Sequence, residues 1–296
     1  MTTNETLDHD VARREFARAK RSWFRVVVVQ SALVAVPGVV ALLAVPWIAY
    51  VGGVLALLGT VSLFFLRGVA DSSYARAESI RRLLLVSKGL GRPIAPGVAM
   101  SALAEASTKD ATDPEPEGEY FNSNLQPGLQ RLVHHLWESA HCTVVLAGVV
   151  AAHVTAVAVA GGAVVIAAFF SALWFGTSAS FGVQVSMAGS AMLGLFGFGA
   201  FAELARTYHG LSTTAGKTCT RCEGLLERAT LNLPDAIAVV EDYNVAVAQA
   251  APIPTYVWRW KQKALAESWK LAQLAYGKSE RATLPGLSQD IRDPSL

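Results

Sequence analysis

Two long stretches without a charged side chain constrain this sequence more than any other feature. No Asp, Glu, Lys or Arg occurs from Val26 to Leu66 or from Cys142 to Ala202. An ionised side chain at the centre of a bilayer costs about 2.5–3.5 kcal/mol on insertion scales, so membrane spans avoid such residues. Only 16% of the chain is charged and 52% is hydrophobic, against roughly 25% charged residues in soluble proteins. The sequence therefore predicts a membrane protein and excludes a disordered chain.

The first stretch predicts a helical hairpin. Pro46 divides it into two apolar runs, Val26–Val45 and Ile48–Leu66. Each run is close to the roughly 20 residues that cross a hydrocarbon layer of about 30 Å. Trp47 and Tyr50 fall at the turn, where amphipathic aromatic rings favour the membrane interface.

The second stretch is too long for one span, because a continuous helix of that length would extend for about 90 Å. Gly161-Gly162 and the polar segment 176–180 are the candidate breaks. One break gives two spans and both breaks give three. We place two spans near Val144–Leu173 and Phe181–Ala202.

The positive charges decide the topology. Arginines and lysines are concentrated before the first hairpin, after it and behind the last span, and all three groups favour the cytoplasmic side. Each stretch must then cross an even number of times. The prediction is an all-α, multi-pass protein with four spans and with both termini and the middle segment in the cytoplasm. A cleaved signal peptide is the competing interpretation of the N-terminus, but the charged region is too long and contains acidic residues such as Glu15.

This topology divides the chain into five parts. We expect a basic juxtamembrane helix, a transmembrane hairpin, a cytosolic helical segment with an acidic loop, a transmembrane pair and a cytosolic helical tail. Their predicted limits are residues 1–25, 26–67, 68–141, 142–204 and 205–296. Within the middle segment, small and apolar residues recur at helical spacing and predict a packed helix face, namely Ala70, Tyr74, Ala77, Ile80 and Leu84.

No motif of an enzyme is present, because no nucleophile, base and orienting group cluster in the sequence. Cys219 and Cys222 form a single CxxC pair, whereas zinc sites usually combine two such pairs. We therefore predict no cofactor and no metal, and we interpret the two cysteines as reduced thiols. The three cysteines of the chain also exclude a disulfide scaffold.

Histidines near the second charge-free stretch are the remaining candidates for a site. His134, Glu138 and His141, with His135, are spaced to share part of one helix surface. They suit a metal site, a pH-sensitive latch or a gate, and equally an ordinary interfacial helix. His153 stands alone inside the predicted third span, where an ionisable residue indicates either a functional site or a hydrogen bond to a neighbouring helix.

Two short motif stretches and the overall layout resemble a known family. The first stretch is Tyr120-Phe121-x-Ser123, followed by Pro127-Gly128, Arg131-Leu132 and Glu138-Ser139-Ala140. The second is Tyr243, then Ala250-Ala251-Pro252-Ile253-Pro254-x-Tyr256, Leu265 and Trp269. With the order of hairpin, cytosolic segment, second hairpin and helical tail, the chain resembles the SMODS- and SLOG-associating transmembrane effectors (SLATT-like) of bacterial conflict systems, nearest their four-transmembrane branch.

The resemblance implies a non-enzymatic effector of a CBASS-type antiphage defence system in the bacterial inner membrane. Such an effector acts downstream of a nucleotide-signal synthase, oligomerises and permeabilises the membrane. The implied partners are the lipid bilayer, further copies of the chain, and a cyclic nucleotide or a partner nucleotidyltransferase or sensor protein, with no nucleic acid polymer. A nucleotide would require cations near the headgroups, and the candidates are Arg76, Arg81, Arg82, Lys88 and Arg92.

Tyr120, Arg131 and Glu138 are candidate motif residues because they belong to the stretch that carries the resemblance, and His134, His141 and His153 are candidate gating residues because of their spacing and position. Two other functions stay open. A channel or small-solute transporter would use His153 and the glycine-rich spans as a path. A membrane-anchored signalling scaffold would recruit a partner through its cytosolic helices.

Overall fold

The fold is known from a computed structural model. It describes residues 9–43, 46–98, 101, 123, 125–175, 181–228 and 230–283. For residues 9, 10, 34–43, 46–50, 52, 53, 56, 164, 165, 168, 169, 171–175, 181–198 and 277–283, the backbone alone is described. Tyr120 and the predicted acidic loop at 110–119 lie outside the described residues.

The described part of the chain is helical and contains no strand, which confirms the predicted all-α fold. Six helices of 17 or more residues follow one another along the chain. They are α1 (His9–Leu43), α2 (Pro46–Leu90), α3 (Leu129–Phe175), α4 (Phe181–Leu226), α5 (Leu233–Gln249) and α6 (Thr255–Thr283).

The first four helices pack as an antiparallel bundle. α1 contacts α2 and α4, and α3 contacts α4 and α2, so the four helices close into a ring of neighbours. α2, α3 and α4 have 45 to 47 residues each, which corresponds to about 70 Å at 1.5 Å per residue. That is about twice the thickness of a hydrocarbon layer, so roughly half of each helix has to lie outside one.

None of the four predicted segment boundaries coincides with the end of a helix. The boundaries after residues 25, 67, 141 and 204 fall inside α1, α2, α3 and α4 respectively. An α-helix satisfies its backbone hydrogen bonds internally in water and in lipid alike, so it can pass from one environment to the other without a break. For the same reason, α3 runs uninterrupted through Gly161 and Gly162. Residues 142–202 are therefore divided between two helices, α3 and α4.

Among the described residues, one segment is long and apolar enough to cross a membrane. It is Leu129–Ala163, with 35 residues. Only 28% of the most apolar part of this segment is buried inside the protein. The sequence predicts four spans, whereas helix length and apolar composition identify one among the described residues. Most of the first and fourth predicted spans, and the beginning of the second, fall at residues 34–50 and 181–198, whose side chains the structure does not describe.

The beginning of the predicted third span belongs to the protein core. Leu146, Ala147, Val150 and Ala151 are buried in the same cluster as Tyr208 and Tyr243. These residues, and the predicted start of the span at Val144, lie within the candidate segment Leu129–Ala163.

Glycines bring α2 close to α3 where α2 ends. A Cβ on Gly89 would lie 2.7 Å from the Cα of Leu132. Gly91 has φ +64°, a left-handed conformation that favours glycine, and Pro127 packs against it. The amide of Gly128 donates to the carbonyl of Gly89 at 2.9 Å. Gly89 and Gly91 thus form the close contact between these two helices.

α5 and α6 pack on one half of the bundle. In this half α1 begins, α2 ends, α3 begins and α4 ends. α5 begins at an N-cap in which the Oδ1 of Asn232 accepts from the amide of Asp235 at 2.8 Å, with Pro234 in the first turn. The turn before α6 is fixed by Tyr208, whose hydroxyl donates to the carbonyl of Pro252 at 3.0 Å.

Candidate functional site

A buried polar cluster joins α2, α3 and α5, and we call it the Arg81 network. Its members are Glu78, Arg81, Ser139, Thr143, Tyr243 and Asn244. The packed face of α2 explains why these polar groups are buried. Ala77 and Ile80 belong to that face and are buried as predicted. Glu78 and Arg81 follow them by one residue each, so they lie one turn apart along the edge of the same face.

Each of the three guanidinium nitrogens of Arg81 donates to the protein. Nε donates to Glu78 Oε2 at 2.9 Å, Nη1 to Ser139 Oγ at 3.3 Å, and Nη2 to Asn244 Oδ1 at 3.3 Å. The guanidinium carbon lies 5.6 Å from the centroid of the Tyr243 ring. Burial lowers the pKa of Arg81, but the charges of Glu78 and Tyr243 outweigh burial and raise the pKa above its ordinary value. The side chain is therefore a charged structural element.

Tyr243 closes the network on the side of α3. Its hydroxyl lies 2.7 Å from Thr143 Oγ1 and 3.1 Å from Ser139 Oγ. Burial raises the pKa of Tyr243, and the charge of Arg81 and the hydrogen bonds from Ser139 and Thr143 offset only part of that effect. Ser139 and Tyr243 come from the two motif stretches of the sequence, so the fold brings these stretches together.

The five cations predicted to bind a ligand do not converge on one surface. Arg81 has its nitrogens engaged inside the fold, so we remove it from the candidate ligand site. Nη2 of Arg82 donates to the carbonyl of Asn244 at 2.6 Å. Arg76 lies between α1 and α2, with Nη2 3.3 Å from Ser73 Oγ. Lys88 is half-buried near the end of α2, and the side chain of Arg92 is exposed beyond it.

A second cluster holds α6 against α3, and we call it the aromatic cluster. Trp137 lies at its centre, 4.7 Å from Trp269 and 5.5 Å from Tyr276 between ring centroids. Its indole nitrogen donates to Glu223 Oε1 of α4 at 3.1 Å. The rings of His134 and His141 lie 5.6 and 5.5 Å from the ring of Trp269.

The residues of the predicted histidine group do not form one site. His134 and His141 pack against an aromatic ring, and His141 also forms a hydrogen bond. His141 Nε2 lies 3.0 Å from Ser268 Oγ of α6, and His135 is fully buried. Arg131 and Glu138 are half-buried on α3. Within the described ranges, no group of three or more His, Cys, Asp or Glu residues is arranged to hold a metal ion. The geometry assigns His134 and His141 to the contact between α3 and α6.

His153 lies at the end of the contact between α3 and α6 that is nearest the N-terminus of α6. Its Nδ1 is 2.7 Å from the carbonyl of Val149, and its ring is 5.7 Å from the ring of Trp260. The side chain is exposed. Since Trp260 pairs with His153 and Tyr276 with Trp137, α6 runs antiparallel to α3.

Cys219 and Cys222 are free thiols on α4. Burial raises the pKa of Cys219 to about 12 and raises the pKa of Cys222 as well. Thiolates bind metals and attack disulfides, whereas thiols with a raised pKa do neither readily. The arrangement agrees with reduced, unreactive cysteines.

Sequence reasoning missed Glu78, Asn244 and Glu223. Glu78 and Arg81 stand three residues apart beside an apolar helix face, and this spacing is a signal for a buried pair. No such signal exists for Asn244 or Glu223, because their partners are more than 80 residues away. Comparison with known proteins gives no relative: neither a protein family, nor a curated protein, nor a solved structure matches the chain.

Proposed function

We propose that this protein is a four-span effector of the bacterial inner membrane that permeabilises the membrane when its cytosolic helices receive a signal. The proposal joins the resemblance of the sequence to the geometry of the bundle. The observation that carries it is a common height at which the last cation occurs on three helices, namely Arg25 on α1, Arg67 on α2 and Arg206 on α4.

The contact between α1 and α2 sets the first two of these residues level. Leu33 packs against Gly59. Eight residues before Leu33 on α1 is Arg25, and eight residues after Gly59 on the antiparallel α2 is Arg67. Both side chains are exposed. Arg25 and Arg67 therefore lie at the same height along the bundle.

The contact between α2 and α3 relates this height to His153. Arg81 is bonded to Ser139. Fourteen residues before Arg81 is Arg67, and fourteen residues after Ser139 is His153. The boundary of charge on α1 and α2 is thus level with His153 of α3.

α4 reaches the same boundary within about one turn. The hydroxyl of Ser212 donates to the carbonyl of Val144 at 3.0 Å. Six residues before Ser212 is the exposed Arg206, opposite residue 150 of α3. Cations that end at one height on neighbouring helices are typical of the headgroup level on the cytoplasmic side of a membrane.

Large apolar side chains are exposed beyond that height. On α2 and α3 they include Val54, Leu57, Phe64, Val159 and Phe170, which are 59 to 78% exposed. An exposed apolar surface of this extent on several helices supports contact with lipid. Beyond residue 153, α3 retains 22 residues before Phe175, about the number required for one span.

The Arg81 network supports a signalling role for the cytosolic half. It ties α5, which lies outside the predicted membrane region, to α2 and α3, which continue unbroken into that region. A ligand or partner that favours another arrangement of α5 would shift α2 and α3 with it. This coupling suits an effector in which cytosolic binding opens an oligomeric assembly.

Release of a trapped dye from liposomes tests the proposal. The purified chain is reconstituted and exposed to a panel of cyclic di- and trinucleotides. We expect one of them to cause dye release, with loss of membrane potential in cells that express a matching synthase. Absence of release and of depolarisation under all conditions would reject the permeabilising function.

A signalling scaffold is the second candidate, and one observation favours it. Leu271 and Leu274 on α6 are 67 and 62% exposed, although they lie level with the cytosolic part of α3. Such a surface fits a protein partner. Recovery of a soluble signalling protein with the chain, without any dye release, would favour the scaffold.

A further inference from the structure

The N-terminal turns of α6 carry an exposed aromatic and basic surface that the proposed function does not use. It consists of Tyr256, Arg259, Trp260, Lys261 and Lys263, and we call it the α6 surface. Tyr256 and Trp260 are 64 and 61% exposed. Arg259 and Lys263 are four residues apart and exposed, so they lie on one face of the helix.

The α6 surface lies at the height where the cations of α1, α2 and α4 end. The ring of Trp260 contacts the ring of His153 at 5.7 Å, and His153 is level with Arg67. Because α6 is antiparallel to α3, Tyr256 lies one turn further along, level with Val157, which is itself 53% exposed. The aromatic rings therefore begin at the height where the apolar surface of α3 becomes exposed.

The cations are arranged around these rings. Nζ of Lys261 lies 4.2 Å from the centroid of the Trp260 ring. Tyrosine and tryptophan favour the membrane interface, where one end of the ring is in hydrocarbon and the other is hydrated. Lysine and arginine extend their charged ends toward headgroups from such positions.

We infer that the α6 surface binds anionic phospholipid headgroups of the cytoplasmic leaflet and anchors α6 beside α3. The inference rests on the proposed membrane topology and adds a binding surface to it. Three cations and no acidic residue occur from Tyr256 to Lys263, so the charge is complementary to an anionic lipid and not to another cationic surface. Each cation near an anionic leaflet favours binding by roughly fivefold, corresponding to about 1 kcal/mol.

Quenching by brominated lipids tests where the α6 surface lies. A bimane label is attached to Tyr256→Cys in the full chain, which is reconstituted in nanodiscs of phosphatidylcholine and phosphatidylglycerol. Labels on Phe64→Cys and Leu271→Cys are the controls for lipid and for water, and the unsubstituted chain gives the background of the native cysteines. We expect strong quenching at positions 64 and 256 and little at position 271.

The lipid preference tests the charge. We expect brominated phosphatidylglycerol to quench the label at position 256 more strongly than brominated phosphatidylcholine. Arg259→Gln with Lys263→Gln should lower this preference at least fivefold. Lys217→Gln with Lys270→Gln removes the same charge from exposed positions further from the boundary and should leave the preference unchanged.

The outcomes separate the inference from the proposed function. Quenching at position 64 without quenching at position 256 would overturn the inference and leave the topology standing. No quenching at position 64 would overturn both. Equal quenching at position 256 by the two lipids, or equal effects of the two double variants, would overturn the anionic headgroup as the ligand.

Discussion

Arg81 shows how one side chain can be essential to the fold and still be mistaken for a binding residue. A row of cations after an apolar stretch predicts headgroup or ligand contacts, and Arg92 keeps that exposure. Arg81 differs because Glu78 stands one turn before it and because α3 and α5 supply two further acceptors. The local pair was visible in the sequence. The acceptors on α3 and α5 were not, since helical spacing describes one helix and not its neighbours.

Replacing Arg81 alone should be far more damaging than replacing the pair. Arg81→Met leaves the buried carboxylate of Glu78 without its guanidinium, and breaking a buried pair costs about 3–5 kcal/mol. The double variant Glu78→Leu with Arg81→Met removes both charges and should recover most of that loss. Denaturant unfolding in detergent measures the difference. Equal destabilisation by the single and double variants would contradict the structural role of the pair.

Gly89 should tolerate alanine poorly. A Cβ would lie 2.7 to 2.9 Å from three atoms of Leu132, including its Cα, and overpacking of this kind costs about 1–3 kcal/mol. Gly210 is the matched control, because a Cβ there would meet nothing within 4 Å. Gly210→Ala should be neutral or stabilising by up to about 1 kcal/mol. Thermal unfolding of both variants checks the contrast, and equal effects would contradict the close contact of α2 and α3.

Buried tyrosines and thiols should make the protein sensitive to alkaline pH. Burial raises the pKa of Tyr74, Tyr208 and Tyr243 above 10.0 and that of Cys219 from 9.0 to about 12. A raised pKa in the folded state stabilises the protein below the unfolded pKa, and this contribution is lost as pH rises through the folded value. The melting temperature should therefore fall progressively above pH 9. A constant melting temperature from pH 8 to 11 would contradict the burial of these groups.

At the scale of elements, the sequence predicts helices well and their limits poorly. The packed face of α2 was readable from its period, and Ala70, Tyr74 and Ile80 are buried. The continuity of α1–α4 was not readable, because composition changes at the membrane boundary while backbone hydrogen bonding does not. The point on α3 at which contact with protein gives way to contact with lipid is not readable from the sequence, for a related reason. A protein core and a lipid layer select the same side chains.

The attachment of α6 to α3 depends on the aromatic cluster. Trp269 contacts His134, Trp137 and His141, so Trp269→Ala should loosen the second half of α6 while the bundle stays folded. Hydrogen exchange should rise around Trp269 and Tyr276 and remain slow in α3 and α4. Lys270→Ala, at the exposed neighbouring position, is the control. Unchanged exchange in α6 after Trp269→Ala would show that other contacts hold the helix.

At the scale of the whole molecule, the proposed topology gives the same four helices a cytosolic half and a membrane half. The proposed boundary lies at Arg25, Arg67 and Arg206, which the packing of the bundle brings to nearly one height. The sequence alone shows that cations end near the apolar runs, but their alignment requires the register between helices. Since the helices are continuous, rearrangement in the Arg81 network would be transmitted to the membrane half.

Topology reporters give the most direct test of this arrangement. Green fluorescent protein and alkaline phosphatase are each inserted near Glu115 or fused after Leu296, in matched bacterial strains. We predict fluorescence and no phosphatase activity at both positions, because the proposed topology places the middle segment and the tail in the cytoplasm. Phosphatase activity at either position would mean an odd number of crossings, and it would contradict the four-span account.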